Sequence, residues 1–282
     1  MMSSTGVADS IAAGNASISA ESATQGALRQ SFTMWSFGRN SNTPAQELLR
    51  EAARIGYSGV EMLDEASWPM AIDCGLQVVT TKGHDSLRDG LNRRENRNRI
   101  VDELLDRIAK AKKWSVPVLI CFTGDRAADV DDRQGLETSA ETLQMVAPAA
   151  LEAGVTLAVE LLNSKVDHKG YQGDSTSWGI ELCKQADSSA VRLLYDIYHM
   201  QIMEGDLIRT IREAAPYIAH YHTAGNPGRG QPDASQEINY PAVYRAIAAT
   251  GYSGFIGHEF VPKGDPVEAL RLAYNDCACV KR

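Results

Sequence analysis

Glu160, Asp196, His222 and Glu259 each close a short apolar run, and they follow one another at steps of 36, 26 and 37 residues in a chain of 282. Steps of that length suit one strand plus one helix, so the four side chains are expected at the same end of successive strands. Three carboxylates brought within a few ångströms at low effective dielectric repel one another unless a cation sits among them. Three oxygen donors and one imidazole form a hard to borderline site. It suits one divalent metal ion (Mn2+, Mg2+ or Co2+) with room for substrate oxygens, rather than a closed structural zinc. Taken singly, a carboxylate after a strand is commonly a helix N-cap and a histidine a hydrogen-bonded rim residue. Recurrence in four consecutive units is what points to chemistry.

Such a set needs a scaffold that repeats. From Ser31 onward, short runs rich in β-formers alternate with segments of helical period, the pattern of a parallel sheet built from βα units. Eight strands are expected, over 31–35, 58–62, 76–80, 117–121, 156–161, 192–196, 218–222 and 254–259. Helices are expected over 43–55, 96–113, 136–153, 176–186, 205–215, 239–250 and 266–275, with a short one near 65–74. The first is marked by Thr43 as N-cap, Pro44 at the first helical position and Gly56 past its end. Eight rounds in a length near the roughly 250 residues typical of the fold give an α/β chain, a single-domain (β/α)8 TIM barrel over 31–282. In that fold the active site is assembled at the C-terminal strand ends, where the four residues stand. Alternation puts Thr156 and Ala158 beneath Glu160, Leu194 beneath Asp196, His220 beneath His222, and Phe255 and Gly257 beneath Glu259. Residues 1–30, rich in Ser, Ala, Gly and Thr, read as a mobile N-terminal tail.

A net charge of −8 opposes binding to a phosphate backbone, so nucleic acid is excluded as a partner. No apolar run approaches the roughly 18 residues of a membrane span. The tail has neither the basic nor the apolar region of a secretion signal, although small residues also crowd cleavage regions. Five cysteines without a paired spacing beyond Cys277-Ala-Cys279 favour a reducing compartment. The expected location is therefore cytoplasmic, with an exported form carrying the tail as a leader remnant as the alternative. The oligomeric state stays open, a homo-oligomer included.

The segments Val-Glu-Leu-Leu-Asn (159–163), Tyr-Asp-Ile-Tyr-His-Met-Gln (195–201), His-Tyr-His-Thr-Ala-Gly-Asn-Pro-Gly-Arg (220–229), Glu-Ile-Asn-Tyr (237–240) and Gly-His-Glu-Phe (257–260) carry a resemblance. From about Phe32 to about Tyr274 the chain resembles the hydroxypyruvate isomerase family, which belongs with the ketose 3-epimerases to the xylose-isomerase-like TIM barrels. The resemblance implies that Glu160, Asp196, His222 and Glu259 hold the metal and that Glu160 and Glu259 are the acid/base pair. It also implies that His199 and Arg229 contact a sugar or keto-acid substrate. Two departures stand out. Bacterial hydroxypyruvate isomerases carry Gln at the third ligand position and Glu-Pro-hydrophobic-Asn after the fifth strand, where this chain has His222 and Glu-Leu-Leu-Asn. The histidine resembles the epimerase branch, and the stretch 162–171 matches no defined substrate.

Moving a proton between neighbouring carbons of a hydroxy-carbonyl compound needs a base, an acid and stabilisation of the enediolate oxygens. Two glutamates and a dication provide these. The expected reaction is an isomerisation of the hydroxypyruvate isomerase type, with a ketose 3-epimerase or a lyase on the same scaffold as alternatives. An abasic-site endonuclease, with its three-zinc cluster, needs more ligands than six histidines supply here. His199 is placed at the start of a loop after Asp196, and Arg229 in a turn-rich loop. Glu61 at the end of the second strand, and Lys82 and His84 after the third, are minor candidates for substrate contact at the mouth. Trp35 and Phe37 are candidates for an apolar wall. The run 92–99 reads as the start of a solvated helix, and Cys121 as an inert buried thiol.

Overall fold

The apolar runs hydrogen-bond to one another in chain order, all in parallel, and the eighth pairs back onto the first to close a barrel. This is the (β/α)8 TIM barrel expected from the alternation. The structure, a computed structural model, describes residues 28–39 and 42–280. Its strands are β1 (Arg29–Thr33), β2 (Gly59–Glu61), β3 (Gln77–Lys82), β4 (Val118–Cys121), β5 (Thr156–Leu161), β6 (Val191–Asp196), β7 (Ile218–Thr223) and β8 (Phe255–His258). Its helices are α1 (Met34–Gly38), α2 (Ala45–Ile55), α3 (Trp68–Asp73), α4 (Arg97–Trp114), α5 (Asp132–Ala153), α6 (Thr176–Ala186), α7 (Ile197–Met203), α8 (Leu207–Ala214), α9 (Tyr240–Ala249) and α10 (Pro266–Ala278). Among the described residues no helix is long and apolar enough to cross a membrane.

Three boundaries differ from the sequence expectation for local reasons. Arg29 and Gln30 already pair with Phe255 and Ile256, so β1 begins two residues early and ends where α1 begins, which takes Trp35 off the strand. The remainder of the expected tail, 1–27, lies outside the described residues. Pro44 stands in the N-cap place of α2 with an extended ψ of 142°, not at the first helical position. Helix α5 starts four residues before 136, because Asp131 accepts from the Gln134 N–H while the Gln134 side chain accepts from the Asp131 N–H, a capping box. Gly56 does end α2, at φ 124°, where a Cβ would collide with the Tyr274 ring.

The barrel interior has two unlike halves. Between β1, β2, β3 and β7, the buried Ser31, Glu61, Thr80, His220 and His222 form a polar layer. Gly257 of β8 makes room for it, since a Cβ there would meet the Glu61 and His222 side chains. Across the barrel, Val118, Ile120, Ala158 and Leu194 pack with Phe122, Leu162 and Tyr171 into an apolar cluster, with Met62 and Leu87 against it.

Candidate active site

Glu160, Asp196 and His222 lie at the C-terminal ends of β5, β6 and β7, and Glu259 is one residue past β8. All four are buried, and each offers a ligand atom within 4.8 Å of the other three. The polar network fixes how they point. Oδ1 of Asp196 accepts from the Tyr198 and His199 N–H groups (2.9 and 3.2 Å), capping α7, while its buried Oδ2 has no hydrogen-bond partner. Nε2 of His222 donates to Glu61 Oε2 at 3.0 Å, which turns Nδ1 toward Glu259 Oε2 (2.9 Å) and Glu160 Oε1 (3.6 Å).

Charge crowding follows from this geometry. Burial pushes the Asp196 carboxyl up to about 7, with Glu259 and Glu160 adding to the rise and Arg229 and His222 opposing it. Burial would lower the His222 imidazole, yet Glu259 and Glu61 beside it hold it well above its ordinary value. Burial would raise Glu259 too, but Arg229 and His222 hold it well below the carboxylate range. The carboxylates thus gather the positive charge within reach, an imidazolium proton and a guanidinium, which is the charge a divalent ion carries. Asp196 Oδ2 and His222 Nδ1, held by charge but without a hydrogen bond, belong to the same group of four ligand atoms, so the donor set fits such an ion.

Glu61 and His84, expected at the mouth, are both fully buried and absent from the lining of the cavity there. Glu61 accepts from Ser31, Thr80 (2.7 Å), His220 (3.0 Å) and His222 (3.0 Å). It lies beneath the candidate metal ligand His222 and off the cavity wall, because its side chain turns into the polar layer of Ser31, Thr80 and His220. Nε2 of His84 accepts from the Phe122 N–H at 2.9 Å, tying the β3–α4 loop to the end of β4. His199 is not in a loop but in the first turn of α7. Asn163 Oδ1 accepts from the Val166 and Asp167 N–H groups, so its Nδ2 faces His199 Nδ1 at 2.6 Å as donor. That leaves the proton on His199 Nε2, which has no hydrogen-bond partner and lies 3.6 Å from Asp196 Oδ2. Burial, then Arg229 and His168, keep this imidazole neutral.

Above the cluster lies a cavity of about 530 Å³, lined on the chemical side by Glu160, Glu259, Arg229, Trp35 and His168. Arg229 Nη2 donates to Glu259 Oε2 at 2.5 Å and sits 3.6 Å from Asp196 Oδ2. Its backbone is left-handed (φ 52°), and the loop is closed by the hydrogen bond from Gly225 N–H to Gly230 O. Trp35 is more than a wall: its Nε1 donates to Glu259 Oε1 at 2.7 Å. Phe37 packs edge-on against Phe32 and Phe260. Lys82 lines the far rim. Cys121 is buried, which pushes its thiol up to about 12. His168 was not anticipated, although the stretch 162–171 that holds it stood out. Its signal, a short loop carrying a histidine after a catalytic-type strand end, is weak without the cavity to aim it.

The chain is similar over residues 49–275 to the xylose isomerase-like TIM barrel family. A human protein named putative hydroxypyruvate isomerase is 28% identical over 256 residues, a span covering 84% of this chain and 90% of the human one. The 2-oxo-tetronate isomerase of Cupriavidus necator is 35% identical over 136 residues, covering 48% of this chain and 52% of its own. The crystal structure of a family 2 AP endonuclease from Brucella melitensis matches with a TM-score of 0.74 and 25% identity, over 86% of this chain and 96% of that one.

Proposed function

The chain belongs to the xylose isomerase-like TIM barrel family, and from that premise we propose that it is a divalent-metal-dependent isomerase of the hydroxypyruvate isomerase type. It moves a proton between adjacent carbons of a small hydroxy-carbonyl substrate, with Glu160 and Glu259 as the acid/base pair. The observation that carries this reading is the convergence of Glu160, Asp196, His222 and Glu259, all buried, with a ligand atom from each within 4.8 Å of the others. The names of the human and Cupriavidus relatives point the same way. Those four residues would hold Mn2+, Mg2+ or Co2+, which supplies Lewis acidity toward the substrate's carbonyl and hydroxyl oxygens when bound.

The chain's own groups do the rest. Glu259, held charged by Arg229 and His222 and oriented by Trp35, is ready to accept a C–H proton. Glu160, whose contact to His222 Nδ1 is 3.6 Å, is the less tied of the two and free to exchange a proton on the neighbouring carbon. The hydroxyl proton passes to the former carbonyl oxygen, so the isomerisation consumes no co-reactant. The Arg229 guanidinium, on the cavity wall, is a donor for substrate oxygens, while His199, fully buried and off that wall, turns its Nε2–H toward Asp196 Oδ2 at 3.6 Å.

A second reading, ketose 3-epimerisation, uses the same pair on one carbon and is favoured by His222 standing where bacterial hydroxypyruvate isomerases have Gln. Product analysis separates the two. DNA cleavage of the kind named for the Brucella protein is not supported. His84, His199 and His258 pair with Phe122, Asn163 and Gln30, and only His220 and His222 stand in groups that could hold an ion, Glu61-His220-His222 and Glu160-Asp196-His222-Glu259, fewer ligands than a three-zinc cluster needs. Five free thiols support a reducing, cytoplasmic compartment.

The test is Glu160→Gln and Glu259→Gln. Each keeps the fold and loses turnover by roughly 10² to 10⁴-fold, the contribution of a positioned acid or base. Solvent-deuterium incorporation followed by NMR shows which variant still exchanges one proton. Near-wild-type turnover in a folded, metal-loaded variant removes that glutamate from the mechanism.

A further inference from the structure

Glu61 and His220 take no part in the proposed reaction, yet with His222 they form a second group of buried side chains whose ligand atoms lie within 4.8 Å of one another. His220 and His222 stand two apart on β7, so alternation turns both rings inward, where they meet edge-on at 5.0 Å between centroids. His220 Nε2 lies 3.0 Å from both oxygens of Glu61, and His222 Nε2 lies 3.0 Å from Oε2. Ser31 and Thr80 place their hydroxyls on the same carboxylate. Gly257 keeps the β8 side of this group clear, since a Cβ there would collide with Glu61 and His222.

Two imidazoles and one carboxylate are a zinc donor set that leaves the fourth position open. Zinc bonds of about 2.0–2.2 Å put tetrahedral ligand atoms roughly 3.3 Å apart, so the separations here need to open by only a few tenths of an ångström. The two groups also differ in kind. Three oxygens and one nitrogen above suit Mn2+ or Mg2+, whereas two nitrogens and one oxygen below rank Zn2+ ahead of Mn2+. They share one ring, and a neutral imidazole has a single lone pair. His222 can serve the upper group through Nδ1 only while Nε2 keeps its proton for Glu61. An ion on Nε2 leaves the proton on Nδ1 instead, where it faces Glu259 Oε2 at 2.9 Å and has nothing to give a metal.

We propose that Glu61, His220 and His222 Nε2 form a second cation site, selective for Zn2+, and that an ion there weakens Mn2+ binding by the group above by taking the His222 lone pair. Zinc so placed antagonises the upper metal without entering the substrate cavity. The antagonism rests on the metal reading of the upper group; the zinc site does not. Neither Glu61 nor His220 lines the cavity, whereas Glu160 and Glu259 do, so Zn2+ enters the lower group as the chain folds and a chelator reaches only the upper one. The full chain is therefore refolded from urea with excess Zn2+, treated with EDTA and crystallised. Diffraction at the zinc edge shows an anomalous peak between Glu61, His220 and His222 Nε2, and metal analysis finds zinc retained in the wild type and lost from His220→Gln. Titrated with Mn2+, the zinc-holding chain binds roughly 10 to 100-fold more weakly than chain refolded without zinc, the factor by which partners of a ligating histidine act. His220→Gln gives one Mn2+ affinity either way. A wild-type chain with no peak at the lower group, or zinc retained equally by folded His220→Gln, overturns the site, and the wild-type peak decides even if the variant does not fold. Equal Mn2+ affinity with and without retained zinc overturns the antagonism. Zinc held below in a chain that binds no Mn2+ refutes the reading of the upper group and leaves the lower site standing.

Discussion

A buried carboxylate costs several kcal/mol unless its lone pairs are filled. Glu61 meets that requirement with Ser31, Thr80, His220 and His222 as donors. Burial alone would raise its carboxyl, but the two imidazoles hold it well below the usual range. Its charge keeps a proton on His222 Nε2, so that Nδ1 is the nitrogen that would give its lone pair to a bound ion once the ion displaces the second proton. Outer partners of this kind are worth roughly 10 to 100-fold in metal affinity. Glu61→Gln should therefore bind Mn2+ more weakly by that factor while keeping its circular dichroism; calorimetry that shows unchanged affinity in the folded variant refutes the supporting role. The sequence made the four converging residues legible because each ends its own strand at regular steps. Glu61 closes a strand much as Glu160 does, and nothing in the alternation says that its side chain turns into the layer of Ser31, Thr80 and His220. His168 and Trp35 were obscured for a related reason. Their roles depend on which loop folds over the cavity, and a local pattern carries no record of that.

Elements show the same division. Strands and helices with clear apolar periods were readable to within a few residues, whereas α7 was not, because its first turn depends on Asp196 Oδ1 accepting the Tyr198 and His199 N–H groups. The β3–α4 loop includes a contact of similar type, His84 to the Phe122 N–H, beside the Gly83, Leu91 and Asn92 N–H groups that donate to Ile120, Phe122 and Thr123 O. Burial lowers the His84 imidazole from 6.5 to about 4, with Glu103 opposing and Arg99 and Arg107 adding to the drop. The sign is that of a depressed folded-state value. The stability this neutral imidazole permits is present above pH 6.5 and is lost as pH falls from there through 4. The difference between the two values amounts to about 3 kcal/mol at most. Urea unfolding at pH 7 and pH 4 should show the wild type losing up to that much more than His84→Gln, which keeps an acceptor and does not titrate. Equal losses in the two proteins would mean that His84 does not couple this loop to acid.

For the molecule as a whole, the polar layer under the mouth carries its own hydrogen bonds, and the barrel closes through β8 and β1 by backbone pairing and the His258–Gln30 side-chain hydrogen bond. Chelation with EDTA should accordingly abolish turnover and leave the far-UV spectrum unchanged, with activity returning on addition of Mn2+. Saturation at about 100 times the dissociation constant stabilises a fold by about 2.7 kcal/mol, or a melting temperature roughly 5 °C higher at this size. Cooperative unfolding on chelation would contradict this. The two-sided interior has one more consequence, and it concerns how such a protein changes over generations. The two glutamates proposed to handle protons come at the ends of β5 and β8, while the side chains of the opposite cavity wall come mainly from the ends of β2, β3 and β4. A replacement at Met62, Leu87 or Phe122 can therefore shift what is accepted without touching how it is transformed. A lineage built on this plan is free to wander among nutrients while keeping one reaction.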